Sequence, residues 1–247
     1  MKNLKSILLK LKNKSNIDYE YYHLFNNNKL DLNYNTSNFT INYIIYIINS
    51  DFSRFNDSYK WFSDESITDV FFERLKLSLE DKEVFFRLKF KELFWLKLNK
   101  VNFDEWDYKL LAWFILNNSL DINRIFLENL NLNSEFFSLF KDFNWFGNLT
   151  FINIDNNYCW NEGLNSLIFF LEKNNINLEY LSIINNNISN ISLLSKYLNK
   201  TNIRILDLSS NDINQNDIIS IIENSSELRE LYIRNIELDD SIIEKII

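Results

Sequence analysis

An α/β solenoid, with parallel strands along one face and helices along the other, is the fold that this sequence predicts. Three observations point to it. The first is an apolar spacing with a polar amide inside it: in IRILDLSSNDI, Ile203, Leu206, Leu208 and Ile213 are apolar, and Asn211 interrupts them. The second is that the arrangement returns. NLEYLSIINNNI places Leu178, Leu181, Ile183, Asn186 and Ile188 at the same offsets, and LRELYIRNIEL places Leu228, Leu231, Ile233, Ile236 and Leu238 there. Seven copies begin at 67, 93, 122, 149, 178, 203 and 228, so one unit recurs at spacings of 26, 29, 27, 29, 25 and 25 residues. The third is that each copy is followed by a segment long enough to form a helix.

Within a copy, apolar residues at alternate positions suit a short strand with one buried face. The chain must then turn away, and the turn leaves buried backbone groups that need partners. An Asn side chain offers a donor and an acceptor at that point. Asn157, Asn186 and Asn211 are therefore expected to form a structural ladder serving the backbone. Leu75, Val101 and Leu130 occupy the same slot in other copies and predict a different turn or a plain apolar contact.

Helices are expected between the strands. Asp104 is an N-cap candidate for DEWDYKLLAWFILNN, residues 104–118. Gly163, Leu167 and Leu171 stand at four-residue intervals in NEGLNSLIFFLEKNN, and SNISLLSKYLNK and NDIISIIENS continue the theme. The 25-residue spacings leave room for helices of only about two turns.

The L-x-x-L-x-L-x-x-N-x-L series resembles the leucine-rich repeat family over roughly residues 67–247. It is complete at 178 and 203, and complete at 149 with Cys159 in the last slot. The helical halves resemble those of the ribonuclease-inhibitor-like class. That resemblance implies a horseshoe with parallel strands on its concave face and helices on its convex face.

Residues 1–66 are expected to form an N-terminal capping region. KLDLNYN holds a degenerate first repeat at Leu30, Leu32 and Asn35, and MKNLKSILLKLKNKS is basic and partly apolar, suited to shield the edge of the first strand. Residues 38–66 do not fit the period. They read as an extra helical segment of two short helices ending in Trp61 and Phe62. The segment distantly resembles an F-box, without the Leu-Pro that opens most F-boxes; a long first repeat is the plainer reading.

Composition narrows function further. With 46% hydrophobic and 24% charged residues, 247 residues can bury a continuous core, and with no proline and two glycines no flexible linker is evident. The abundant asparagines, including the NNN runs at 26–28 and 185–187, read as compositional bias. Cys159 is the only cysteine and His23 the only histidine, so an intrachain disulfide is excluded and a zinc site or a His-assisted nucleophile is not expected. Gly147 and Gly163 alone cannot build a phosphate loop. No cofactor or metal is expected. A net charge of −8 disfavours nucleic acid. No stretch is apolar for long enough to span a membrane, and a cytoplasmic location is the default expectation.

Binding is expected on the concave face, where residues between the apolar strand positions point outward. The pairs are Asp69 and Phe71, Trp95 and Lys97, Arg124 and Phe126, Phe151 and Asn153, Tyr180 and Ser182, Ile205 and Asp207, and Glu230 and Tyr232. The partner-binding candidates are Phe71, Trp95, Lys97, Arg124, Phe126, Phe151, Tyr180 and Tyr232, because aromatic residues and Arg dominate interface hot spots. The expected function is a non-catalytic scaffold or adaptor for a protein partner. One alternative is the F-box-like adaptor through residues 38–66. Another follows from a resemblance to Ran GTPase-activating proteins, with Arg74 as the residue that would act. The C-terminal DDSIIEKII adds an expectation of self-association through the last repeat's edge.

Overall fold

The computed structural model describes residues 7–14, 17–24, 42–48, 67–90, 93–145 and 147–238. The sequence expectations for Leu30, Leu32 and Asn35, for residues 49–66, and for the C-terminal segment 239–247 lie outside these residues. The chain divides into two compact units, Met1–Asn123 and Arg124–Ile247.

In the first unit, β1 (Ile7–Lys14) pairs antiparallel with β2 (Ile17–Leu24). Then β2, β3 (Asn42–Ile48), β4 (Ile67–Glu73) and β5 (Trp95–Asn99) run parallel in chain order. Residues 42–48 are thus a strand and not the helix expected there. Its sequence, NYIIYII, is rich in β-branched and aromatic residues, a preference that outweighs the helical reading of the apolar run.

Helix α1 (Leu79–Arg87) starts on a reciprocal cap: the Asp81 N–H donates to Ser78 Oγ (3.1 Å), and the Ser78 N–H to Asp81 Oδ2 (3.0 Å). Helix α2 (Tyr108–Asn117) follows a 3-10 turn at Glu105–Asp107, where the Asp104 N–H donates to Asp107 Oδ2 (2.8 Å). Lys82 of α1 is buried and donates from Nζ to Asp104 Oδ2 (2.8 Å) and Asp107 Oδ2 (2.6 Å), which ties the two helices together.

The second unit repeats the plan. Strands β6 (Arg124–Glu128), β7 (Phe151–Asn153), β8 (Tyr180–Ser182), β9 (Ile205–Asp207) and β10 (Glu230–Tyr232) are parallel and in chain order. Between them lie α3 (Ser134–Ser138), α4 (Trp160–Lys173), α5 (Ser192–Leu198) and α6 (Gln215–Asn224). Both units are α/β, and from β4 onward in the first unit and throughout the second, parallel strands and helices alternate in a repeat-like manner. Among the described residues no helix is long and apolar enough to cross a membrane.

The core is one row of side chains per apolar slot. Ile125, Ile152, Leu181 and Leu206 are buried and occupy successive partners in the register. Gly163 lies where α4 crosses closest to α3: a Cβ there would stand 2.9 Å from Cys159 Sγ and 3.3 Å from Ser134 Cα. Gly163→Ala is therefore expected to lower stability. Overpacking costs about 1–3 kcal/mol, and the better helix propensity of alanine returns about 1 kcal/mol. Urea denaturation should show a net loss of about 1 kcal/mol from these two terms, and an unchanged midpoint would mean that the helices separate freely.

Left-handed backbone is widespread although no described glycine adopts it. Of the eleven non-glycine residues with positive φ among the described residues, seven are asparagines: Asn129, Asn131, Asn156, Asn175, Asn185, Asn187 and Asn235. Asn tolerates this region because its short side chain bonds locally. The run at 185–187 lies in a turn, where Asn185 and Asn187 take left-handed backbone and Asn186 lies buried between them.

Candidate binding surface

Three amides hold the turns that follow the strands of the second unit. Asn157 Nδ2 donates to the carbonyls of Leu127 (2.7 Å) and Ile154 (2.8 Å), while its Oδ1 accepts from the N–H groups of Leu130 and Leu132 (both 3.1 Å). Asn186 Nδ2 reaches the carbonyls of Ile154 and Ile184 (both 3.0 Å). Its Oδ1 accepts from the Cys159 N–H (3.3 Å), and its own N–H donates to Asn211 Oδ1 (3.0 Å). Each amide therefore joins its own turn to the turn of the preceding copy. Cys159 is buried, and burial pushes its thiol up, which keeps it protonated and unreactive.

Copies without Asn in the slot solve the same problem in other ways. Leu75, Val101 and Leu130 are buried there. In the first unit Asn102, one residue past Val101, accepts from the Leu77 N–H (2.6 Å) and donates to the Leu77 carbonyl (3.1 Å). A second set of amides sits at helix ends. Asn118 Oδ1 accepts from the Phe90 N–H (2.8 Å), and Asn174 Oδ1 from the Trp145 N–H (2.8 Å). Sequence reasoning missed both residues; an Asn at the C-terminal end of the helical segment, in two copies, was the available signal.

On the strand face away from the core, the register builds two lateral rows in the second unit. Arg124, Phe151, Tyr180, Ile205 and Glu230 form one, and Phe126, Asn153, Ser182, Asp207 and Tyr232 the other. The rings of Phe151 and Tyr180 stack with centroids 3.8 Å apart and planes 4° apart, because in-register parallel strands place them face to face. Phe126 lies 4.6 Å from Phe151 at a 36° tilt, and the Arg124 guanidinium stands 5.8 Å over the Phe151 ring. At the far end the Tyr232 hydroxyl donates to Glu230 Oε2 (2.6 Å), and the Arg234 guanidinium stands 5.6 Å over the Tyr232 ring.

The first unit carries the corresponding residues on its own strands. Asp69 is opposite Trp95 and Phe71 opposite Lys97, and the Phe71 and Trp95 rings meet edge to face at 6.4 Å. Arg74, the residue that the GTPase-activating resemblance points to, is exposed with φ 55°, and its Nε lies 3.6 Å from Glu73 Oε1. The only histidine, His23, lies in β2.

Exposure differs from the expectation in two ways. Phe71, Trp95, Lys97, Arg124, Phe126, Phe151, Tyr180 and Tyr232 are half-buried and not fully solvent-facing. In the rows just described, ring packs on ring across the strands, as Phe126, Phe151 and Tyr180 do. Asp69, Asn153 and Ser182 are buried outright. The reason is clear for the last two. Asp155, just past β7, accepts from Ser182 Oγ (2.6 Å) and the Ile184 N–H (2.9 Å) at Oδ1, and from Asn153 Nδ2 (2.9 Å) at Oδ2. This network draws both side chains under the strand ends, and no sequence pattern announced Asp155.

Electrostatics around the stack are acidic. Burial pushes the Asp155 carboxyl above its ordinary value despite its hydrogen bonds to Ser182, Ile184 and Asn153, and the charge of Glu128 adds to this. The Tyr180 hydroxyl is also raised, first by burial and then by the fields of Asp155, Asp207 and Glu128, although its bond to Ser182 opposes them. The surface is thus one stacked ring pair, Phe151 on Tyr180, with Phe126 tilted against it, bordered by carboxylates at the C-terminal ends of the strands. Among the described residues no group of three or more His, Cys, Asp or Glu is disposed to hold a metal ion. No family model matches the chain, and no curated protein matches it.

Proposed function

We propose that this chain is a leucine-rich repeat protein that acts as a non-catalytic, cytoplasmic scaffold or adaptor, binding a protein partner through the strand face of residues 124–232. The observation that carries this reading is the in-register stack of Phe151 on Tyr180, with Phe126 packed diagonally on Phe151 and Arg124 over it. Half-exposed rings held rigid by their neighbours present a large contact area at little cost in side-chain entropy, which is how aromatic hot spots act. The alternation of parallel strands and helices, and the amides of Asn157, Asn186 and Asn211 that link successive turns, support the repeat assignment.

The test is affinity capture from source cells with a Phe151→Ala, Tyr180→Ala double variant, with binding of the captured partner then measured on purified protein. A loss of at least about 10-fold is expected, because hot-spot truncations cost about 2 kcal/mol or more. Phe169→Ala, on the exposed side of α4, should bind as the wild type does. Circular dichroism checks that the variants fold. Equal binding by the folded double variant and the wild type would remove the strand face from consideration.

A further inference from the structure

Two residues beyond each ring of the stacked pair, on the same strand face, stands a buried polar side chain: Asn153 follows Phe151 in β7, and Ser182 follows Tyr180 in β8. Both meet at Asp155, which is 9% exposed. Its Oδ1 accepts from Ser182 Oγ (2.6 Å) and from the Ile184 N–H (2.9 Å), and its Oδ2 accepts from Asn153 Nδ2 (2.9 Å). The hydroxyl of half-buried Tyr180 bonds to Ser182 in turn. A serine hydroxyl has one hydrogen, and here Asp155 holds it. Tyr180 must therefore donate to the Ser182 oxygen, so that two hydroxyls in series point inward at the carboxylate.

A neutral carboxyl has to donate as well as accept. The Ile184 N–H is a fixed donor, and the Asn153 amide is held by the Asp155 N–H, which donates to its Oδ1 (2.9 Å). Of the three partners, only the Ser182 hydroxyl can reverse. We propose that Asp155, Ser182 and Tyr180 form a proton-sensitive relay that sets which group Tyr180 offers at the strand face. With Asp155 ionised, the tyrosine hydrogen turns inward and its oxygen accepts from outside. With Asp155 protonated, the carboxyl donates to Ser182 Oγ, the serine hydrogen turns to Tyr180 Oη, and the tyrosine O–H turns outward as a donor. The proton comes from solvent and stays on Asp155; the two hydroxyls only rotate. The charges that bear on the relay come from neighbouring strands. Glu128, which ends β6, acts on Asp155 and Tyr180, and Asp207 of β9 acts on Tyr180; Arg124, at the other end of β6, stands over Phe151. Burial and then Glu128 favour the neutral carboxyl, and the three donors oppose them without cancelling them. The relay stands on bonds within the chain, and its bearing on a partner rests on the strand-face reading.

Carbon NMR of the full chain across a pH series tests this, with the Asp155 side-chain carboxyl reporting the proton and Tyr180 Cζ reporting its hydroxyl. The Asp155 midpoint should lie above the ordinary aspartate value of about 3.9, and Tyr180 should step with the same midpoint. Ser182→Ala removes one donor to the carboxylate. It should move the Asp155 midpoint up and shrink the Tyr180 step at least about two-fold, leaving only the direct field of the carboxylate. Glu128→Gln should move the midpoint down and keep the step, since it removes a like charge and no member of the relay. Asp155→Asn, close in shape to the neutral acid, should abolish the step, and it decides the matter if Ser182→Ala does not fold. An Asp155 midpoint at or below the ordinary value overturns the proposal. So does a flat Tyr180 signal in the wild type, an undiminished step in Ser182→Ala, or a step that survives Asp155→Asn. None of these readings involves a partner, so their failure leaves the binding test of the strand face where it stands.

Discussion

Asn211→Ala is expected to destabilise the second unit by about 3–5 kcal/mol, since each buried backbone group left without a partner costs about 1–3 kcal/mol and part of that is regained from entering water. The side chain serves five backbone groups. Its Oδ1 accepts from the N–H groups of Asn186 (3.0 Å) and Ile188 (3.1 Å), and its Nδ2 donates to the carbonyls of Ile183 (2.8 Å), Leu208 (2.9 Å) and Ser209 (3.3 Å). Three of these groups belong to the preceding copy, so the loss loosens a contact between copies as well as one turn. Asn211→Leu separates lost hydrogen bonds from lost volume: it fills the space and should be no better tolerated than alanine. Asn202→Ala, at an exposed position, should stay within about 0.5 kcal/mol of the wild type. Urea denaturation measures all three. A loss below about 1 kcal/mol for Asn211→Ala would mean that water or the shifted backbone replaces the amide.

Lys82→Met is expected to cost about 3 kcal/mol, at the low end for breaking a buried ion pair. Lys82 and Asp107 are both buried, and methionine keeps most of the lysine's apolar stem while removing the ammonium. The Asp107 carboxylate is then left with the Asp104 N–H as the only one of the partners described above. Adding Asp107→Asn removes the stranded charge and should recover part of the loss, which makes the pair suited to a double-mutant cycle. The pair also sets an alkaline limit. Burial works against the Lys82 ammonium, but the hydrogen bonds and charges of Asp104 and Asp107 outweigh it and hold the group above its ordinary value. A raised value in the folded state contributes stability that is complete below the unfolded lysine value of about 10.4 and is lost as pH rises through the folded one. Denaturation midpoints of the wild type should therefore fall in that alkaline range. The Lys82→Met protein should lack that component of the fall, and a parallel decline in both would separate the alkaline limit from this pair.

Several elements were legible in the sequence for identifiable reasons. Ile152, Leu181 and Leu206 occupy the slots of a two-residue alternation, and they are buried partners in register. Helix length was legible only in part: the 25-residue copy at 178 holds the 7-residue α5, about two turns, but the 25-residue copy at 203 holds the 10-residue α6, as long as α2 in the 29-residue copy at 93. Other features were misread because their signal was ambiguous. NYIIYII satisfies both an apolar helix face and a buried strand, and pairing with β4 decided the matter. Asn102 does in the first unit the work of a slot that lies one residue earlier, a shift that a fixed offset cannot find.

The candidate surface was legible only in outline. The alternation placed Phe126, Phe151 and Tyr180 on one face, but which of them touch follows from the register between β6, β7 and β8. Asn153 and Ser182 were expected outside and are inside, because Asp155 takes one donor from Asn153 of its own copy and another from Ser182, which only the next strand can bring to it. Trp106 and Trp113 were read as part of a helix apolar on one side. Their exposure became visible only when Leu111, Phe114 and Ile115 filled the core.

The sequence by itself determined the period, the alternation of strand with helix, and the polar slot at the turns of Asn157, Asn186 and Asn211, because these rest on residues near in the chain and on the backbone's fixed demand for hydrogen bonds. The tertiary structure alone decided which rings stack, which carboxylates gather around them, and which apolar side of α2 is left open. Those outcomes depend on groups some 25–30 residues apart meeting across neighbouring copies, as Asp155 meets Ser182 at a separation of 27 residues, and a spacing rule within one copy carries no information about what the next copy places opposite it.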